Sequence, residues 1–253
     1  MRERVRTRPV VATAHASAAI TTSVATAIRC GTTPAADGEA TPAAGPGLDR
    51  QGRPLWSATR LDVAEKLWGE GFVSPGSEDY LPTLVKPLGL NPAMSVLDLG
   101  AGLGGTTRLM AKQFGAWVTG LESSPLLVKA GMERSYKLGL VRQAPIQAYD
   151  PEAFRYPKRV DAVFAKEAFF TVIDKAGLLD NLVVVLKPRG QVLFTDYVTD
   201  PGGLESPALA SWAAREPVEP IQRARVGKPI IAPHDLPLIV IPRRSEAEGF
   251  TVA

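Results

Sequence analysis

Val96-Leu97-Asp98-Leu99-Gly100-Ala101-Gly102-Leu103-Gly104-Gly105 decides the fold. A short apolar strand runs into a glycine-rich turn, and Thr107 to Phe114 then reads as a helix stopped by Gly115. Glycines let the chain turn sharply and let a ligand approach the backbone where a Cβ would collide. Gly100, Gly102 and Gly105 satisfy GxGxxG as readily as Gly100, Gly102 and Gly104 satisfy GxGxG, so spacing alone does not choose among nucleotide ligands.

The alternation continues outward. Ala116 to Leu121 reads as a second strand, after which Ser124 and Pro125 supply an N-cap and first-turn proline for a helix through Met132. Further strands are predicted at Ala144 to Ala148, Val160 to Phe164 and Gln191 to Thr195, with a helix from Lys175 to Leu186 before the last. Strands alternating with helices imply an α/β fold with a Rossmann-like, mostly parallel sheet and helices on both faces. Upstream, order is expected to begin near Trp56, and Leu61, Ala64, Leu67 and Trp68 fall at helical spacing before the Gly-rich stretch from Gly69 to Gly76.

Four regions follow: a disordered tail over 1–50, an N-terminal helical cap over 51–90, a core over 91–200 and an irregular segment completing the sheet over 201–253. The tail begins with Arg2, Arg4, Arg6 and Arg8 and is rich in Ala, Thr, Pro and Gly; it also resembles a targeting segment or residues ahead of the true start. In the last region the apolar run at Leu238 to Ile241 fits a strand or a loop.

With 29 basic and 26 acidic residues and no dominating Lys/Arg run, no nucleic-acid partner is implied. Cys30 is the single cysteine, which rules out an intrachain disulfide and a multi-cysteine zinc site, so no metal is expected and a reducing, cytoplasmic location is. No run approaches the ~18 apolar residues of a membrane span.

The carboxylates narrow the chemistry. Asp98, two residues before the first glycine, is poorly placed for a pyrophosphate and well placed for an ammonium group. Glu122 ends the second strand about twenty residues beyond the glycines, where a carboxylate accepts hydrogen bonds from both ribose hydroxyls; an acid at a helix N-terminus is the other reading. Asp150, after the third strand, suits an adenine amino group or a surface turn before Pro151.

Taken together, "VLDLGAGLGG", "VTGLESSP", "VDAVFAKEAFF" and "LKPRGQVLFTDYV" resemble the class I S-adenosylmethionine-dependent methyltransferases over roughly Leu67 to Val198. The resemblance implies a Rossmann-like sheet and transfer of a methyl group from a sulfonium to a small-molecule acceptor, an amine nitrogen among the candidates. It implies that Asp98, Gly100, Ala101, Gly102, Gly104, Glu122, Ser123, Asp150 and Lys166 bind S-adenosyl-L-methionine. Upstream, "LWGEGFVSPGS" is similar to the segment that closes over the cofactor in small-molecule N-methyltransferases of the phosphoethanolamine and sarcosine type. Trp68, Phe72 and Ser74 would then line the methionine end, or else cap the core.

Departures from that subgroup are as informative. Thr171 stands where phosphoethanolamine enzymes carry a histidine, and Trp56 and Ala64 stand where tyrosines are expected, so the subgroup's acid–base pair is missing. Glu167 is left as the catalytic candidate, to orient an amine, against a reading as a surface carboxylate. His15 and His234, the two histidines, receive no role. At the C-terminus Gly249 to Ala253 looks like the start of a sixth strand, which leaves the family's terminal strand pair incomplete and an edge unpaired. A non-catalytic cofactor-binding relative and an NAD-dependent oxidoreductase are the alternative functions.

Overall fold

The computed structural model describes residues 45–49, 52–75 and 78–199, together with residue 207 and four short strands beyond it. Residues 1–44 of the expected tail, including His15 and Cys30, lie outside the described residues, as does His234.

The core alternates as the hydrophobic pattern predicts. Helix α1 (Ala58–Trp68) and the short α2 (Leu81–Val85) precede β1 (Ser95–Leu99), α3 (Gly105–Phe114), β2 (Trp117–Glu122), α4 (Pro125–Lys137), β3 (Ile146–Ala148), β4 (Val160–Lys166), α5 (Lys175–Val185) and β5 (Leu186–Thr195). The caps are those the sequence signals: Ser124 accepts from the Leu127 N–H with Pro125 in the first turn, and Gly115 ends α3 in the left-handed region. Four short strands follow β5 and the adjoining β6 (Tyr197–Thr199): β7 (Ile221–Gln222), β8 (Leu238–Val240), β9 (Arg243–Arg244) and β10 (Phe250–Val252).

The principal sheet has the order β3-β2-β1-β4-β5-β8 and is parallel at every pairing. Chain order reverses between β1 and β4, which opens a crevice at their carboxyl ends, the place where open α/β sheets bind ligands. β4 sits at the centre, and Val160, Ala162, Val163, Phe164 and Ala165 are all buried, as a strand covered on both faces requires. One apolar layer joins α5 to the sheet through Leu178, Leu182 and Val185, the other joins α2 and α3 through Leu84, Val85 and Met110. At the opposite end Asp161 ties the sheet's base together, accepting from the Ser95 N–H, the Ser95 hydroxyl and the Lys187 ammonium, each at 2.8 Å.

Some boundaries move for physical reasons. The helix predicted to reach Leu186 ends at Val185, because Pro188 disfavours helical geometry at the residue before it, and Leu186 instead pairs with Val160 in β5. The Lys187 to Gly190 turn is carried inside that strand as an irregularity, with Arg189 at φ 64°. Leu238–Val240 is a strand, parallel to β5 on its outer side. Phe250–Val252, read from sequence as the start of a sixth strand, pairs antiparallel with Tyr197–Thr199 in a separate four-stranded sheet. Described structure also begins earlier than Trp56: the Asp49 carboxylate accepts from the Arg53 backbone and side chain, and Gly47 packs against Ser123 and Ser124 at the end of β2. Among the described residues no helix is long and apolar enough to cross a membrane, and no His/Cys/Asp/Glu cluster suited to a metal occurs.

Candidate functional site

Three left-handed glycines build the site. Gly100, Gly102 and Gly104 have φ of 67°, 57° and 76°, a region costly for residues with a Cβ. Each is also crowded: a Cβ would come within 2.5 Å of Ala168 at Gly100, of Val73 at Gly102 and of Ile146 at Gly104. The loop is therefore fixed from the residues after β4, from the segment after α1 and from β3 together. Its backbone is tied by Ala101 N–H to Leu121 O at 3.0 Å and Gly104 N–H to Ala101 O at 2.8 Å.

A cleft opens beside this loop, lined by Phe72, Val73 and Ser74 on one side and by Asp98, Ala101, Thr106 and Lys166 on the other. Asp98, at the end of β1, is only 2% exposed. It accepts a 2.6 Å hydrogen bond from the buried Thr107 hydroxyl. Burial pushes its carboxyl up to about 7, against the Thr107 hydrogen bond and the Lys166 charge, which pull it down. A carboxylate so deprived of water is a ready receptor for a cation that enters the cleft.

Glu122 ends the neighbouring strand and is also buried. One carboxylate oxygen accepts from Gly102 N–H at 2.9 Å and the other from Ser124 N–H at 2.8 Å, with the Ser123 hydroxyl at 3.4 Å. Burial raises its pKa and these backbone donors oppose the rise. A carboxylate has about four lone-pair positions, so acceptor capacity is left for hydroxyl donors on a ligand. Glu122 thus ties the glycine loop to the start of α4.

Lys166, at the end of β4, donates to the Ser74 hydroxyl and to Pro75 O at 2.7 Å. Within this structure it fastens the segment after α1 across the cleft. The next residue, Glu167, is a half-buried non-glycine held at φ 55°, its N–H donating to Thr195 O at 2.7 Å. That left-handed turn is an uncommon conformation at the crevice mouth. Asp150 accepts from Glu152 N–H at 3.0 Å and so closes a turn after β3. Trp68, the last residue of α1, is 40% exposed and does not line the cleft, unlike Phe72 and Ser74. Thr171 is exposed, and its hydroxyl donates to Ala168 O at 2.7 Å.

Several residues at the site escaped the sequence reading. Thr107 was legible only as a helix residue. Arg108, a buried arginine in a helix whose other buried residues are small or apolar, donates through one nitrogen to Leu103 O at 2.8 Å and Gly131 O at 3.2 Å. Burial and the charge of Arg134 hold its guanidinium down to about 10, with Glu65 and Glu70 opposing. Burial and the Glu122 and Asp98 charges push the pKa of the Tyr149 phenol upward, with the Gly100 backbone opposing. A tyrosine just before Asp150 in the sequence gives no hint of that environment.

Residues 96–190 match the family described as Methyltransferase domain. Phosphoethanolamine N-methyltransferase 1 of Zea mays is 31% identical over 148 residues, 58% of this chain and 29% of that protein. The glycine/sarcosine/dimethylglycine N-methyltransferase of Actinopolyspora halophila is 27% identical over 143 residues, 56% of this chain and 25% of that one. Among solved structures, phosphoethanolamine N-methyltransferase 2 of Haemonchus contortus in complex with S-adenosyl-L-methionine aligns with a TM-score of 0.61 at 26% identity, covering 65% of this chain and 38% of that one. The match spans less than two fifths of the length of each of these relatives. Fold, glycine loop and family match together make residues 96–190 similar to the class I S-adenosylmethionine-dependent methyltransferase domains. The chain is similar in type to the small-molecule N-methyltransferases of the phosphoethanolamine and sarcosine group.

Proposed function

We propose that this chain binds S-adenosyl-L-methionine in the cleft and transfers its methyl group to a small molecule, with an amine nitrogen as the acceptor. The observation that carries the reading is the pair of buried carboxylates on adjacent strand ends, Asp98 in the cleft and Glu122 at the loop's rim. The first suits the ammonium of the methionine part and the second the ribose hydroxyls. In this reading Gly100, Ala101, Gly102 and Gly104 bring the backbone close to the ligand, Phe72 and Ser74 close its methionine end, and Ser123 and Asp150 flank the base. The relatives' names and the glycine-loop match support the same assignment. Cys30 is the basis for placing the chain in a reducing, cytoplasmic compartment.

Bound there, the sulfonium supplies a methyl group already activated by positive charge. What the protein must contribute is alignment and exclusion of water, which the strap across the cleft provides through Phe72 and Val73. A neutral amine needs at most one proton acceptor. Glu167, next to Lys166 at the end of β4, is the candidate carboxylate for orienting it. A binding-only relative is the second reading, favoured by Thr171, whose hydroxyl serves a local turn where the subgroup has a histidine.

Calorimetry with S-adenosylmethionine, S-adenosylhomocysteine and NAD tests the proposal: the first two bind and NAD does not. Absence of binding to both sulfur ligands would sink it. Release of S-adenosylhomocysteine from an amine panel then separates turnover from binding alone. Glu122→Ala is expected to weaken S-adenosylhomocysteine binding roughly 10- to 100-fold, because it removes the ribose receptor and leaves the buried Gly102 and Ser124 N–H groups without their acceptor. Unchanged affinity in that variant would refute the ribose role.

A further inference from the structure

The segment from Gly69 to Pro75 crosses the cleft as a strap, and its anchorage is polar. Helix α1, which leads into it, buries a single residue, Ala64, while Val63 and Leu67 are 49% and 66% exposed. So little apolar burial cannot fix where the helix sits. Specific ties do so instead. One Glu65 oxygen accepts from Gly71 N–H at 2.8 Å, and the other meets Arg134 of α4 at 2.6 Å. Gly71 O in turn accepts from Gly105 N–H at 3.0 Å at the start of α3.

Arg108 lies directly beneath this crossing. One of its nitrogens binds the glycine loop at Leu103 O and α4 at Gly131 O; the other lies 2.9 Å from where a Cβ on Gly71 would stand. Arg134 adds a second hydrogen bond along its own helix, to Ala130 O at 3.0 Å, yet its buried Nε reaches no acceptor among the described residues. A partly buried ion pair with one unsatisfied donor adds little to folding stability, and its specific effect is on geometry.

We propose that Glu65 and Arg134, with Arg108 beneath them, are positioning residues that hold the strap against the glycine loop and thereby set the cleft's affinity for the amino-acid end of its ligand, leaving the nucleoside end untouched. This rests on the reading that the cleft takes S-adenosylmethionine and its product. The division follows from the layout. The strap contributes Phe72, Val73 and Ser74 beside Asp98, whereas the Glu122 carboxylate is held by the Gly102 and Ser124 N–H groups, and the strap touches that arrangement only through the Val73 side chain against Gly102.

The test uses Arg134→Met, with Glu65→Gln as the partner variant and Arg134→Lys as the conservative rescue. S-adenosylhomocysteine and 5′-methylthioadenosine, which lacks the amino-acid end, are titrated calorimetrically. In Arg134→Met and Glu65→Gln, S-adenosylhomocysteine affinity is expected to fall about tenfold and methylthioadenosine affinity less than about twofold, with Arg134→Lys recovering most of the loss. Equal losses for both ligands, or none for either, would overturn the proposal. Hydrogen exchange on the free protein provides a ligand-independent arm. The Gly71 and Gly105 amides should exchange faster in Arg134→Met, while Ala101 and Gly104 keep their protection; unchanged Gly71 and Gly105 would also overturn it. If the unsubstituted protein bound neither ligand, the reading of the cleft would fail, and the exchange arm would still decide whether the ion pair holds the strap.

Discussion

Asp98→Asn is expected to abolish useful binding of S-adenosylmethionine while making the free protein more stable at pH 8. The two effects have one cause. Burial holds the Asp98 carboxyl at about 7, from an ordinary value of 3.8, so the folded chain keeps this proton where the unfolded chain releases it. The sign follows from linkage: the folded state binds more protons between those values, so stability falls as pH rises from about 3.8 to about 7 and is level above. The full penalty is on the order of 4 kcal/mol. Asparagine removes the buried charge, and its carbonyl oxygen still accepts from the Thr107 hydroxyl. A rise in Tm of roughly 5–10 °C is expected at pH 8 and little change at pH 4. Binding moves the other way, because the ligand ammonium loses its counter-charge; a loss of about 100-fold or more is expected. The unsubstituted protein should also bind about tenfold more weakly for each pH unit below 7, a slope absent in Asp98→Asn. Calorimetry across pH 5 to 8 and thermal melts at pH 4 and 8 read out both halves. Retained affinity in the variant would remove Asp98 from the site.

The same residue shows how far the sequence could be read. Asp98 was legible as a carboxylate beside the loop because it stands two residues before the first glycine, and the structure has it buried in the cleft lining. Glu122 was legible by its position at the next strand end, although not its grip on the Gly102 and Ser124 amides, since two backbone donors leave no mark on residue type. The parallel sheet followed from alternation and the helix starts from Ser124 and Pro125, all local signals. What stayed hidden was long-range. Glu65 and Arg134 are 69 residues apart in sequence, and neither position differs from an ordinary solvated helix charge until the fold brings α1 beside α4. Lys166 was expected at the cofactor and lies in the cleft, but its hydrogen bonds to Ser74 and Pro75 depend on where a glycine-rich segment with no periodicity crosses the sheet. Trp68 illustrates the opposite hazard: the resemblance of its segment suggested that it lines the methionine end or caps the core, yet at the end of a helix with one buried residue it is 40% exposed.

Gly105→Ala separates the glycine loop's two uses of glycine. At Gly100, Gly102 and Gly104 left-handed φ and steric crowding act together, so a substitution there cannot tell one from the other. Gly105 opens α3 in ordinary helical geometry, where alanine is the better residue by about 1 kcal/mol. Helix propensity alone therefore predicts a more stable protein. Against this, the new Cβ would come within 2.5 Å of Gly71 O and 3.0 Å of a Phe72 ring carbon, contacts that only movement of the strap relieves. The expected outcome is a Tm within a few degrees of the parent and S-adenosylhomocysteine affinity weaker by about tenfold or more, because the displaced segment carries Phe72, Val73 and Ser74 away from Asp98. Gly139→Ala is the control: its φ of 69° is strained for alanine, nothing lies within 4 Å of the added carbon, and it is remote from the cleft, so it should lose about 1 kcal/mol of stability and keep its affinity. A Gly105→Ala protein that melts higher and binds as tightly as the parent would mean that the strap does not bear on the loop in solution. Weak binding with an intact melt would establish that the cleft is completed by a segment outside the glycine motif itself.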